Sequence, residues 1–195
     1  MIDALIPSGT CLHCDEARAD QNHWICKGCW VSVRRAEVIT DAPGVFAVYR
    51  YEGAIQTLLS RAKHPLEPAI YKSLLDVELD LPEQVTFVPV PTPWHRRFKR
   101  RGCQTTCIAQ LLANRFGGTV DHALRRHRYL RRQATLNAEQ RRALPAAAFT
   151  LRHQLPSDQD VVLVDDVVTT GTTLERAREV LGHDRVRCFA LAQVP

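Results

Sequence analysis

The sequence lacks any long apolar segment, internal repeat or low-complexity region. Nowhere in its 195 residues do about 18 apolar residues run together, so we expect no membrane insertion. The opening stretch MIDALIPSGTC also lacks the basic head and apolar run of a secretory signal peptide. A composition of 45% hydrophobic and 24% charged residues excludes the disordered and fibrous classes. These features predict a soluble, cytoplasmic protein.

The sequence has no excess of acidic residues, and its net charge of +5 corresponds to a pI near 9.0. Basic surfaces attract phosphate backbones and release their counterions, so a polyanionic partner is compatible with this charge. Charge alone does not identify that partner.

The seven cysteines are an odd number, which argues against a framework of disulfides in a reducing compartment. Four of them form two C-x2-C pairs, Cys11 with Cys14 and Cys26 with Cys29. Two such turns supply the four thiolates that tetrahedral zinc prefers, with no open position for chemistry. We therefore predict a structural zinc site, with His13 and His23 as bystanders. Unligated buried thiols and a redox dithiol are the alternatives.

The chain divides into a zinc-binding module at 1–36, a linker at 37–44 and a larger domain at 45–195. Within the larger domain, β-rich runs predict strands at 45–53, 85–91, 161–164 and 186–192. Helical spacing predicts helices over 54–63, over 68–79, after Gly102 and over 174–181. The arginine-rich residues 122–142 are predicted to form an exposed loop with a helical turn. Alternating strands and helices predict an α/β fold with a parallel sheet flanked by helices.

The stretch VVLVDDVVTTGTT places two acids and a threonine-rich loop after a buried strand. Asp165 and Asp166 are expected at the carboxyl end of this strand, where parallel sheets bind ligands. The loop that follows offers hydroxyl groups and the free N–H groups of a helix start, which favour a phosphate. It consists of Thr169, Thr170, Gly171, Thr172 and Thr173. Carboxylates suit sugar hydroxyls, directly or through a divalent cation. A ribose 5-phosphate derivative carries both features.

This stretch resembles the signature of the type I phosphoribosyltransferases, whose substrate is 5-phosphoribosyl 1-diphosphate with magnesium. The resemblance implies that Asp165 and Asp166 meet the ribose 2′ and 3′ hydroxyls, and that residues 169–173 hold the 5′-phosphate.

Over nearly its whole length the chain resembles the ComF family, which combines a zinc knuckle with a phosphoribosyltransferase domain. After the cysteine pairs, the resemblance rests on YEGAIQTLLSRAKH, VPVPTPWHRRFKRRGCQ and QATLNAEQRRALPAAAF, in this order. It implies that Pro89, Val90 and Pro91 form a loop facing the diphosphate. It also implies a role in natural transformation, where incoming single-stranded DNA is handled, and contact with competence or replication proteins.

Two basic stretches, HRRFKRR and RRHRYLRR, concentrate cations around the aromatic residues Trp94, Phe98 and Tyr129. Guanidinium groups and aromatic rings together hold single strands without sequence choice, whereas many charge runs are simply solvated faces. The candidate nucleic-acid residues are Arg96, Arg97, Arg100, Arg101, Arg125, Arg126, Arg128, Arg131 and Arg132.

Three hypotheses follow from these observations. The first is a single-stranded-DNA-handling protein on a scaffold that still binds the sugar phosphate. The second is an active phosphoribosyltransferase of a small-molecule acceptor. Thr169 weakens 6-oxopurine transfer in particular, because purine-handling relatives with a general base carry an acid there and threonine cannot act as that base. The third is a zinc-dependent protein adaptor.

Overall fold

The fold is built on a parallel sheet of five strands in the order β1-β7-β6-β2-β3. The structure is a computed structural model, and it describes residues 9–20, 23–36, 45–62, 67–75, 77–82, 84–92, 103–126 and 148–195. The strands of the sheet are β1 (Val45–Arg50), β2 (Val85–Pro89), β3 (Gly118–Val120), β6 (Asp160–Val168) and β7 (Val186–Gln193). A separate antiparallel pair consists of β4 (Leu124–Arg126) and β5 (Phe149–Leu151).

Helices cover both faces of the sheet, because its central strands direct apolar side chains to each face. The helices are α1 (Lys27–Val31), α2 (Gly53–Arg61), α3 (Glu67–Leu74), α4 (Gln104–Phe116) and α5 (Thr172–Leu181). On β6, Val162 and Val164 pack on the side of α2, α3 and α4. Val161 and Leu163 pack on the opposite side, with α5 and the β4–β5 pair. The predicted α/β fold with a parallel sheet flanked by helices is confirmed.

The predicted strands and helices are present, with changes at their ends. Strand β6 continues to Val168, beyond the predicted end at 164, because β7 pairs with it as far as Val168 and Gln193. Helix α3 ends at Leu74, short of the predicted 79. The prediction of an exposed loop from residue 122 is wrong at Leu124–Arg126, since these residues pair with β5. The remainder of that prediction, residues 127–142, lies outside the described residues.

The cysteine-bearing segment packs directly against the larger domain. Cys11, Trp24 and Ile25 are buried in the same apolar cluster as Ile55 and Leu58 of α2. Residues 34–36 then run antiparallel to β1, where the Ala36 N–H donates to the Val48 carbonyl at 3.0 Å. The predicted module and the predicted larger domain therefore share one core. The predicted linker at 37–44 lies outside the described residues.

In the described part of the chain, none of the helices has the length and apolar character needed to cross a bilayer.

Candidate functional site

The four predicted metal ligands lie together at one point of the N-terminal segment. The Sγ atoms of Cys11, Cys14, Cys26 and Cys29 all lie within 4.8 Å of one another. Cys14 and Cys26 are separated by 4.0 Å between their Sγ atoms. Four thiolates at about 2.3 Å from one zinc ion in a tetrahedron are themselves about 3.8 Å apart. The cluster can therefore hold a metal such as zinc with little rearrangement.

Backbone geometry brings the thiols of each pair to the same point. The His13 N–H donates to the Cys11 Sγ at 3.4 Å, and the Cys29 N–H donates to the Cys26 Sγ at 3.4 Å. Cys26 is also the N-cap of α1, so its sulfur accepts a hydrogen bond at the start of that helix. Because N–H groups point at these sulfurs, the backbone favours the thiolate form that metal binding requires.

The pKa values of Cys11 and Cys29 are shifted in opposite directions. Although burial raises it, N–H groups of Cys14, Cys26 and His13 lower the pKa of Cys11 to about 6. Burial, followed by hydrogen bonds among the thiols, raises the pKa of Cys29. Without a cation, the cluster therefore keeps some protons on sulfur, and a bound metal would displace them.

The two nearby histidines make other contacts. The His13 Nδ1 lies 3.0 Å from the Thr57 Oγ1 of α2. The ring of His23 stacks on Trp30, with 3.8 Å between the ring centroids. Among the described residues, the only cluster of potential ligands contains cysteines alone.

The acid pair and the threonine loop lie at the switch point of the sheet. From β2 the chain continues to β3 on one side, whereas from β6 it continues to β7 on the other. Ligands of such folds bind in the crevice outside the carboxyl ends of the strands at this reversal. A backbone hydrogen bond joins the two sides here, from the Val90 N–H to the Val164 carbonyl at 2.9 Å. Residues 89–91 and the pair Asp165 and Asp166 thus lie at the carboxyl ends of β2 and β6, and we call the space outside these ends the crevice.

Asp165 and Asp166 belong to the last part of β6 and are half-buried. The Asp166 N–H donates to the Asp165 Oδ1 at 2.9 Å, and the Val167 N–H donates to the Asp166 Oδ1 at 2.9 Å. Burial, and then the neighbouring Asp166, raise the pKa of Asp165 well above its usual range. Two adjacent carboxylates in a partly desolvated place repel each other, so hydroxyl donors or a cation are favourable partners for them.

The threonine loop turns from β6 into α5. Gly171 has a φ of 77°, a conformation that glycine adopts without the cost a side chain would impose. The Thr170 Oγ1 and Thr172 Oγ1 lie 2.9 Å apart, and Thr169, Thr170 and Thr173 are exposed. The first N–H groups of α5 have no helical partners, and they lie in the same loop as these hydroxyls. This arrangement can accept a phosphate.

Two groups hold the segment 89–91 in place from outside β2. The Thr105 Oγ1 in the first turn of α4 donates to the Val90 carbonyl at 2.8 Å. The Arg126 Nη1 donates to the Pro91 carbonyl at 3.4 Å. The sequence did not predict either contact, since both connect residues that are distant along the chain.

The predicted nucleic-acid residues are placed only in part. Of these arginines, the structure describes Arg125 and Arg126, which lie on β4. Arg125 is exposed, whereas Arg126 is half-buried and turns toward Pro91. Lying outside the described residues are Arg96, Arg97, Arg100, Arg101, Arg128, Arg131 and Arg132.

Comparison with known proteins agrees with this architecture. Residues 106–194 match the family model described as a phosphoribosyl transferase domain, and this range includes β6 and the threonine loop. The chain is 30% identical over 123 residues to competence protein F of Haemophilus influenzae, covering 60% of this chain and 52% of that protein. It is 37% identical over 106 residues to the DNA utilization protein YhgH of Salmonella typhimurium, covering 53% of this chain and 44% of that protein. YhgH of Escherichia coli O157:H7 matches with the same identity and coverage.

The chain spans about half the length of the curated relatives it matches. The domain match includes Asp165 and Asp166, and the cysteine cluster precedes it. Residues 106–194 therefore match a phosphoribosyl transferase domain, and the chain is similar to competence protein F and to the DNA utilization protein YhgH.

Proposed function

We propose that the crevice binds 5-phosphoribosyl 1-diphosphate with magnesium, and that the protein handles incoming single-stranded DNA during natural transformation. The observation that carries the first part is the joint placement of the acid pair and the threonine loop at the switch point of the sheet. A carboxylate pair and a phosphate-binding loop on consecutive turns of one chain suit a ligand with hydroxyls and a phosphate on the same sugar.

Magnesium fits the chemistry of the donor set. Magnesium prefers carboxylate and phosphate oxygens, usually with several waters retained. Asp165, Asp166 and the oxygens of the diphosphate would hold it, and its charge would offset the repulsion between the two acids. In this proposal residues 89–91 face the diphosphate and residues 169–173 hold the 5′-phosphate.

The binding test is calorimetric titration of 5-phosphoribosyl 1-diphosphate with magnesium. The test variant combines Asp165→Asn with Asp166→Asn. The matched control is Asp160→Asn, which makes the same change at the opposite end of β6, where Asp160 lies 3.7 Å from Arg185. We expect saturable binding to the wild type and the control, with loss in the double variant. Absence of binding to the wild type would refute the ligand, and equal binding by the double variant would refute the site.

The proposed handling of single-stranded DNA is supported by the names of the relatives and by the basic stretches. Competence protein F and the DNA utilization protein YhgH are named for competence and DNA use. Arg125 is exposed on β4, where a guanidinium group can reach a phosphate backbone. Competence or replication proteins are further partners in this proposal, and the cysteine-bearing segment offers them a separate surface.

The DNA test measures affinity for a single-stranded oligonucleotide at several salt concentrations. We expect the combined change Arg125→Ala and Arg128→Ala to reduce the salt slope by about 1.4, since each contact to a single-strand phosphate contributes about 0.7. Arg185→Ala is the control, because Arg185 lies near the amino end of β7 and contacts Asp158 and Asp160. An unchanged slope would exclude phosphate contacts by Arg125 and Arg128.

A second candidate function is transfer of the phosphoribosyl group to a small acceptor, favoured by the acids and the threonine loop of the crevice. Thr169 does not provide a general base, so the acceptor should be a nucleophile that needs none. Diphosphate should then be released only when the correct acceptor is present. A metabolite screen in which no compound triggers release would favour ligand binding without turnover.

A further inference from the structure

Strand β4 presents two adjacent arginines to different surroundings. Successive side chains of a strand point to opposite faces, and the burial of β4 follows this rule. Leu124 is buried, Arg125 is exposed and Arg126 is half-buried. The two arginines therefore serve different surfaces, although the sequence places both in one basic stretch.

Arg126 is held against the crevice by contacts on two sides. Its Nη1 donates to the Pro91 carbonyl at 3.4 Å, at the end of the segment that continues β2. Its guanidinium carbon lies 5.0 Å from the ring centroid of Phe149, its partner residue on β5. Phe149 is itself buried in the core on the α5 side of the sheet. The Phe149 ring therefore sets the direction in which the guanidinium group points, and the hydrogen bond to the Pro91 carbonyl holds its Nη1 atom.

Arg126 and Asp165 lie on the same side of the sheet. Along β6, the side chains of Val161 and Leu163 pack on the side of α5 and of the β4–β5 pair, and by alternation Asp165 points to that side as well. Arg126 thus donates a hydrogen bond to the segment that continues β2, and its positive charge lies on the side of the sheet to which the Asp165 carboxylate points.

We propose that Arg126 is a positioning residue of the sugar-phosphate site, which acts through Pro91 and Asp165 and does not contact DNA. This inference rests on the proposed binding of 5-phosphoribosyl 1-diphosphate. Arg126 keeps the 89–91 segment beside β6 and offsets the negative charge that Asp165 and Asp166 bring together. Arg125, one residue earlier, remains available to a polyanion outside the crevice.

The test compares three variants of the chain 1–195 by calorimetry with 5-phosphoribosyl 1-diphosphate and magnesium. Arg126→Ala should weaken binding about tenfold or more, because it removes a charge-assisted hydrogen bond and an attraction to a carboxylate. Arg126→Lys should weaken binding only about threefold, because lysine keeps the charge but lacks the fork of the guanidinium. Arg125→Ala is the matched control, and its affinity for 5-phosphoribosyl 1-diphosphate should stay within about twofold of that of the wild type.

Two further measurements separate positioning from a general loss of structure. Thermal melting of each variant with and without ligand reports the fold. A double-mutant cycle with Asp165→Asn reports the coupling, and the effect of Arg126→Ala should be smaller in that background than in the wild type, with the part that comes from the Pro91 carbonyl remaining. The affinity for a single-stranded oligonucleotide should fall with Arg125→Ala and stay unchanged with Arg126→Ala.

Several results would overturn the inference. Equal ligand affinity of Arg126→Ala and Arg125→Ala would remove the positioning role while leaving the ligand proposal intact. Arg126→Lys binding as weakly as Arg126→Ala would show that packing matters and charge does not. Loss of DNA affinity only in Arg126→Ala would assign this arginine to nucleic acid. If the wild type itself does not bind, the proposed function fails, and the inference fails with it.

Discussion

Replacement of Ile25 by alanine should destabilise the whole protein, although Ile25 lies in the cysteine-bearing segment. Its side chain has 0% exposure and belongs to the cluster that contains Ile55 and Leu58 of α2. Removing such a side chain costs about 2–5 kcal/mol, because the apolar contacts are lost and a cavity remains. This is a large share of the roughly 5–15 kcal/mol that stabilises a domain. The control Val31→Ala concerns a side chain with 72% exposure and should change stability by less than about 0.5 kcal/mol.

Urea denaturation followed by two signals measures this effect. Two of the three tryptophans, Trp24 and Trp30, lie in the cysteine-bearing segment, so tryptophan fluorescence reports mainly that segment, and far-UV circular dichroism reports the helices and the sheet. With a slope of about 2 kcal/mol per molar urea, Ile25→Ala should lower both midpoints together by about 1–2.5 M. A shift in fluorescence alone, with the circular dichroism midpoint unchanged, would show that the segment unfolds independently and would refute the shared core.

Two other predictions concern the metal cluster and the acid pair. Cys26→Ser should lose most of the bound zinc in elemental analysis while Cys107→Ser keeps it, since Cys107 lies in α4 outside the cluster; equal zinc content would exclude the cluster as the site. Asp165→Asn should raise the urea midpoint at pH 7, because the raised pKa means that the charged carboxylate opposes folding. For such a group the stabilising neutral form is fully present below the unfolded pKa of about 3.9, and it is lost as the pH rises through the folded pKa. The rise in the urea midpoint caused by Asp165→Asn should therefore vanish at acidic pH. A gain of the same size at low pH, or an equal gain in Asp160→Asn, would contradict this reasoning.

The main strands and helices could be predicted because their signals are local. Apolar runs such as VTFVP and DVVLV are long enough to show the composition of buried strands, and α5 shows helical spacing in its own residues. Strands β3, β4 and β5 have three residues each, which is too short for any period to be recognised. Their existence depends on pairing with distant partners, as Arg126 with Phe149 shows.

The candidate site likewise has one part that local sequence predicts and another part that only the fold brings together. Asp165, Asp166 and the threonine loop are close along the chain, so one stretch of sequence was enough to predict their chemistry. Their use as a ligand site stays a prediction that calorimetry can test. The approach of residues 89–91 to Asp165 follows from the pairing of β2 with β6, where Pro89 lies opposite Val164. No local sequence pattern specifies the register in which β2 pairs with β6.

The sequence by itself determined the paired thiols, the acid pair and the threonine-rich turn, because short-range spacing decides which ligand atoms can converge. The tertiary structure decided that the cysteine-bearing segment shares the core of the larger domain, since Ile25 is buried in the same apolar cluster as Ile55 and Leu58 of α2. It also decided that Arg126 faces the crevice while Arg125 faces outward. The direction of a side chain in a short strand depends on which strand it pairs with and in which register, and the folded chain as a whole sets both.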